Sequence, residues 1–205
     1  LTFIQSDIEA LRLPPARVIR CMNVLIYFDI ETRKKMLMQA DELLDDDGIL
    51  IAGTNGLGIQ FRYAVYRKGE NGLFPSEFAF GLDNLGHITF MPWFTIHDDD
   101  PEALLLADLL GVLRSNRTFW TDFSSHNDTL LEDQGICRRG DDGFLQFSQE
   151  MSPAEYLKKN AEIWQQMEEE GYLDWAVDIV AQSGYDAWKN PAGHIAVRPP
   201  EDTLP

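Results

Sequence analysis

Four groups of residues in this chain carry side chains with chemical potential. The first is Cys21-Met-Asn-Val-Leu-Ile-Tyr-Phe28, followed by Asp29, an apolar run whose tip, Asn23 to Tyr27, is polar and aromatic. A carboxamide donates and accepts hydrogen bonds, and a phenol ring can face a cation. In an open α/β sheet, ligands sit just beyond the carboxyl ends of the strands, so this tip is where a cofactor is expected. From residue type alone, the simpler reading of Tyr27 is a core aromatic with a satisfied hydroxyl. The second group, Gly53-Thr-Asn-Gly56-Leu-Gly58, invites a dinucleotide-binding reading. Its order is not the usual glycine fingerprint and no clear helix with a well-spaced acid follows, so a loop at the sheet edge is expected. The third, His97-Asp-Asp-Asp100, has metal-ligating residue types, but reads as a solvated loop ending in a helix cap. The fourth is the cysteine pair, Cys21 and Cys137, too far apart for a metal motif. Cys21 reads as a small buried hydrophobe rather than a nucleophile. No metal site is expected.

These residues need elements to position them. Val18 to Leu25 is a mostly apolar run, the pattern of a strand covered on both faces. Asp29 can cap a helix over Ile30 to Leu44, whose Met36, Leu37, Ala40, Leu43 and Leu44 recur at helical spacing. Asp45 to Gly48 reads as a turn and Ile49 to Ala52 as the next strand. Strand, helix and strand make a βαβ unit with a parallel pair. Phe61 to Arg67 and Leu73 to Phe80 flank an Asn-Gly turn, which predicts a hairpin. His87 to Ile96 contains Pro92 and reads at best as an edge strand. Asp100-Pro101-Glu102 opens a helix through Leu113, and Ser152 and Glu155 are spaced as a capping box for another, stopped by Gly171. A further helix is expected over Tyr172 to Ser183, and a short strand over His194 to Arg198. Trp164, Tyr172, Trp175, Tyr185 and Trp188 are expected to fill the core of this helical part, with a substrate-facing wall as the alternative. The division expected is an α/β domain over residues 1–96 and a mostly helical region over 97–205 packed on it.

Composition narrows the partners. The 205 residues suit about one domain, and 44% are apolar, enough for a sizeable core. Asp and Glu number 34 against 17 Lys and Arg, a net charge of -17. That field repels a phosphate backbone, so no nucleic-acid partner is expected. No stretch is apolar and long enough for a membrane span. Two cysteines, with no secretory leader visible, fit a reducing, cytoplasmic setting. The chain starts at Leu1, and Leu1 to Gln5 already reads as a strand, so a fragment of a longer protein is expected.

The run Cys21-Met-Asn-Val-Leu-Ile-Tyr-Phe-Asp29, with Thr32, Leu37, Leu43-Leu44 and Asp47-Gly-Ile-Leu-Ile-Ala-Gly53, resembles the CheR family. These are S-adenosylmethionine-dependent protein-glutamate methyltransferases of bacterial chemotaxis. Leu1-Thr-Phe-Ile-Gln-Ser-Asp-Ile8 resembles the family strand before it. The resemblance covers roughly residues 1 to 56; its nine-residue core is specific and the flanking strands are generic. It implies an α/β fold, the C-terminal part of a Rossmann-like class I methyltransferase sheet, with S-adenosylmethionine as cofactor. By the same resemblance Asp7 accepts from the adenine amino group, Ile8 lies against the ring, and Asn23 lies near the methionine end. Tyr27 falls beside the transferred methyl, as the catalytic position. Methyl transfer from a sulfonium is an in-line displacement that depends on alignment more than on acid-base help.

Three departures shape the expectation. Met22 stands where the family has arginine, and Thr54-Asn55-Gly56 where it has His-Ser-Glu. Both leave the methyl acceptor open, an oxygen or nitrogen nucleophile that includes a protein carboxylate. No glycine-rich loop and following acid precede Leu1. Neutral hydrogen bonds contribute about 0.5 to 1.5 kcal/mol each, whereas micromolar binding needs about 8 kcal/mol. Asp7, Asn23 and Tyr27 alone therefore fall short, and the chain by itself is expected to be inactive. The alternative from a different class is a degenerate, non-catalytic binding or assembly module. Without flanking strands, the Val18 to Leu25 edge would invite another chain, so a homodimer through that edge is expected.

Overall fold

A computed structural model describes residues 14–56, 59–86, 97–148 and 151–205. The expected strand at Leu1–Gln5, Asp7 and Ile8 beside it, and the stretch His87–Ile96 lie outside the described residues. The fold is α/β with a mixed sheet. Strand β1 (Ala16–Met22), helix α1 (Ile30–Leu43) and strand β2 (Leu44–Gly56) form the expected unit, and β1 and β2 pair in parallel. The hairpin β3 (Ile59–Gly69) and β4 (Gly72–Phe80) follows, closing at Gly69 opposite Gly72. Gly72 turns the chain at φ +104°, a conformation that L side chains rarely adopt. Helices α2 (Pro101–Ser115) and α3 (Arg117–Asp133) come next, then a two-stranded sheet of β5 (Cys137–Arg139) and β6 (Leu145–Phe147). Helices α4 (Pro153–Glu169) and α5 (Tyr172–Gln182) lead to β7 (Ala187–Lys189) and β8 (Ile195–Val197). The six-stranded sheet has the order β1-β2-β3-β4-β8-β7, with every pair after β1–β2 antiparallel. The mostly helical stretch after residue 97 thus also supplies two strands to the sheet.

Local chemistry sets the helix starts. Asp29, Asp100 and Ser152 accept from the backbone N–H three residues on, and Pro101 and Pro153 open their helices. Gly171 ends α4 in the left-handed region at φ +92°. Helix α3 carries no proline or capping box; Asn116 caps it by accepting from Phe119. Its Phe119 and Phe123 are fully buried and meet Trp164 and Trp175 from α4 and α5, with Tyr172 against Phe123. The expected aromatic core is there, but Trp188 lies in β7 beside an open hollow of about 770 Å³. The main core joins one face of β2, β3 and β4 (Leu50, Ala52, Ala64, Tyr66, Phe78, Phe80) to Met36 and Leu37 of α1 and Leu106, Leu109 and Leu113 of α2. No helix among the described residues is long and apolar enough to cross a membrane.

Three expectations are corrected. The strand expected over Val18 to Leu25, covered on both faces, ends at Met22, and Val18 is 56% exposed. Among the described residues β1 pairs only with β2, at the sheet margin, so one side lacks a neighbour. Leu25 and Ile26 instead bury themselves in a 3-10 turn, Leu25–Tyr27. Asp45 to Gly48 is not a free turn: it is extended within β2, and the pairing jumps from Ala16 opposite Leu44 to Val18 opposite Ile49, absorbing those residues as an irregularity. Gly53 to Gly56 is likewise strand rather than loop, paired with β3. Gly53 is there for close packing: a Cβ at this position would lie 2.5 Å from the Tyr63 Cα.

Candidate functional site at the strand ends

The parallel register brings the ends of β1 and β2 side by side, with Met22 opposite Gly53. Asn23 then turns into the left-handed region at φ +58°, which asparagine tolerates better than most residues. Its backbone N–H donates to the Gly53 carbonyl at 2.8 Å. Its side chain closes a reciprocal pair: Nδ2 donates to Asn55 Oδ1 at 2.8 Å, and the Asn55 N–H donates to Asn23 Oδ1 at 2.8 Å. The 3-10 turn that follows points Leu25 and Ile26 inward and leaves Tyr27 59% exposed. Tyr27 is therefore not a core aromatic. Asn23 and Tyr27 share the carboxyl end of β1; Asp7 and Ile8 lie outside the described residues.

The tip is tied down from below. The Phe28 carbonyl accepts from Arg33 Nε at 3.1 Å, and His97 Nε2 lies 3.4 Å from the Tyr27 carbonyl oxygen. Asp29 accepts from the Thr32 N–H at 2.8 Å, and hydrogen bonding from Thr32 holds its carboxyl below the ordinary range.

Beneath lies a buried charged cluster. Arg33 Nη2 sits 3.0 Å from Asp100 Oδ2, and Arg62 Nη2 sits 3.3 Å from the same oxygen. Arg33 Nη1 reaches Asp100 Oδ1 at 3.2 Å, and that oxygen also accepts from the Ala103 N–H at 3.0 Å. Arg62 Nε donates to Thr54 Oγ1 at 2.9 Å, just below Asn55. Glu102, 2% exposed, completes the group, and its Oε2 accepts no hydrogen bond. Burial first, and Asp100 second, push the Glu102 carboxyl up to about 7 against the pull of Arg33 and Arg62. Burial lowers the Arg62 guanidinium and raises the Tyr66 phenol and the Cys21 thiol, the thiol also feeling Glu102. Cys21 is half-buried and unpaired with Cys137.

His97 to Asp100 is thus not a solvated loop throughout. Asp100 is 2% exposed because it serves two guanidinium groups as well as its helix. Arg33 and Arg62 escaped the sequence reading, and Glu102 was read only as part of a helix start. A signal was present: Arg33 stands in step with Met36, Leu37 and Ala40 on the apolar face of α1, and Arg62 alternates in phase with Ala64 and Tyr66. A charge in phase with a buried face needs a buried partner.

Chemically, the tip offers a carboxamide pair, an exposed phenol and an aromatic ring. Among the described residues no group of three or more His, Cys, Asp or Glu is arranged to hold a metal ion. The arrangement suits binding and alignment of a small polar or cationic group rather than acid-base chemistry. No known family, no curated protein and no solved structure matches this chain.

Proposed function

We propose that the strand-end tip is one wall of an S-adenosylmethionine site, and that the fold derives from a Rossmann-like class I methyltransferase of the CheR type. On this reading Asn23 hydrogen-bonds the methionine end of the cofactor and Tyr27 stands beside the transferred methyl, which passes to an oxygen or nitrogen nucleophile. The observation that supports it is the parallel β1-α1-β2 unit with Asn23 pinned at its carboxyl end and Tyr27 exposed beside it. Ligands of open α/β sheets bind at such strand ends. Calorimetric titration of the full-length protein with S-adenosylmethionine up to millimolar concentration tests it. Heat that weakens several-fold in Asn23→Ala is the expected result; no heat at millimolar cofactor would overturn it.

A second reading, a non-catalytic assembly module, draws support from β1. This strand has one neighbour among the described residues, and Val18 stands 56% exposed on it. A free strand edge can pair with another chain. Light scattering tests the module: a dimer that Val18→Lys dissociates is its expected result, and a monomer removes this support.

A further inference from the structure

The two acids at the start of α2 are treated unequally. Asp100 receives both Arg33 and Arg62 and the Ala103 N–H. Glu102, equally buried, forms no ion pair among the described residues, and its Oε2 meets no donor. From this geometry we propose that Glu102 is a proton-operated latch that couples the start of α2 to the strand-end tip. The proposal stands whether or not that tip binds a cofactor.

The groups facing Glu102 define how the latch works. The charges that act on Glu102 are Asp100 beside it in the chain, Arg33 from α1 and Arg62 from β3, and its own charge is felt by Cys21 of β1 and Tyr66 of β3. With its proton, Glu102 is neutral and Asp100 alone balances the guanidinium groups. When the proton passes to water, a buried carboxylate without a donor is left, which is costly unless a cation turns to it. The two cations that act on it both pair with Asp100, so ionised Glu102 draws on the same guanidinium groups. Arg33 is the shared element: the same guanidinium holds the Phe28 carbonyl at 3.1 Å. Arg62 carries the second link, through Thr54 to the end of β2. A turn of either toward Glu102 loosens Tyr27–Phe28 or the Asn55 side of the site. Burial of Glu102 sets the step near neutrality.

The test is a pH titration of backbone amide resonances from pH 5 to 9. Tyr27, Phe28, Thr54 and Asn55 should share one step near neutrality that disappears in Glu102→Gln. Imidazoles also titrate in this range, so His97→Gln is measured in parallel and should keep the step. A step that survives Glu102→Gln, that vanishes in His97→Gln, or that is absent from the wild type overturns the proposal. If Glu102→Gln does not fold, carboxyl-carbon labelling of glutamate in the wild type decides. One glutamate resonance must then titrate near neutrality together with the Phe28 amide, and its absence refutes the latch.

Discussion

Replacing Asp100 by asparagine removes a charge while sparing a hydrogen bond. The amide oxygen can still accept from the Ala103 N–H, so the helix cap survives. The amide nitrogen must then occupy the other position, where Oδ2 now accepts from Arg62 at 3.3 Å and lies 3.0 Å from Arg33 Nη2. A donor would face two donors, and two buried guanidinium groups would lose their counter-charge. The side chains are 2%, 1% and 0% exposed for Arg33, Asp100 and Arg62, so solvent cannot replace it. Removing one partner of a buried ion pair costs about 3 to 5 kcal/mol, against a total stability of about 5 to 15 kcal/mol for a domain. Urea unfolding at pH 6, followed by tryptophan fluorescence, measures it. With a slope of about 2 kcal/mol per molar, the midpoint should fall by about 2 M. Glu31→Gln is the control: its pair with Lys34 at 3.1 Å is exposed and should contribute no more than about 1 kcal/mol. Asp100→Ala should cost about 1 kcal/mol beyond asparagine, for the lost cap. The Asp100→Asn loss should shrink as pH rises, because the substitution removes a charge that helps push the Glu102 carboxyl up, and ionised Glu102 can take over a guanidinium. A loss below about 1 kcal/mol at pH 6 would refute the claim that Asp100 holds the two arginines.

Three further outcomes follow from the same geometry. Gly53→Ala would place a methyl against the Arg62 carbonyl oxygen and 2.5 Å from the Tyr63 Cα, so thermal melting should show a loss of about 1 to 3 kcal/mol or more. Asn23→Ala loses the Asn55 pair and strains φ +58°, whereas Asn23→Gly loses only the pair; urea midpoints should place glycine above alanine by about 1 kcal/mol. The Glu102 carboxyl is raised from 4.5 to about 7, so the native state holds this proton more tightly than the unfolded chain does. Its contribution is therefore complete below about pH 4.5 and is lost as pH rises through about 7, a change of about 3 kcal/mol. Glu102→Gln should flatten that part of the stability profile, and an unchanged slope between pH 5 and 8 would contradict the assignment.

What the sequence disclosed followed its local rules. Asp29, Asp100 and Ser152 announced their helices because a cap is a contact three residues long. The β3–β4 hairpin was legible from alternation around a turn. The parallel pairing of β1 with β2 followed from strand-helix-strand order. What stayed hidden depends on contacts distant in sequence. Arg33 and Asp100 are 67 residues apart and Arg62 and Asp100 are 38 apart, so neither pairing leaves a local trace. The apolar character of Val18 to Leu25 was real but ambiguous. Leu25 and Ile26 are buried by a 3-10 turn rather than by continuing the strand, and hydropathy does not separate those outcomes. From residue type alone Tyr27 read as a core aromatic, whereas its place at the strand tip, where a ligand was expected, agrees with its exposure. The sheet order, with β8 beside β4 across more than a hundred residues, was beyond any local pattern.

The exposure of Tyr27 gains meaning from what surrounds it. An exposed tyrosine on a loose loop would say little, since single surface aromatics are common. Here the backbone on both sides is committed. The Asn23 N–H is taken by Gly53, the Phe28 carbonyl by Arg33, and Phe28 and Tyr27 N–H groups by the carbonyls of Leu25 and Val24. Leu25 and Ile26 anchor the turn in the core. The tip is thus held on the sheet by internal contacts that leave the Tyr27 ring pointing to solvent. Positions supported in this way lose little freedom when a ligand arrives, which is the physical requirement for a binding wall. Two of these supports run through the guanidinium groups that pair with Asp100: Arg33 holds the Phe28 carbonyl and Arg62 holds Thr54. A perturbation of the buried cluster should therefore be read at the Phe28 and Thr54 amides, where Arg33 and Arg62 reach the tip.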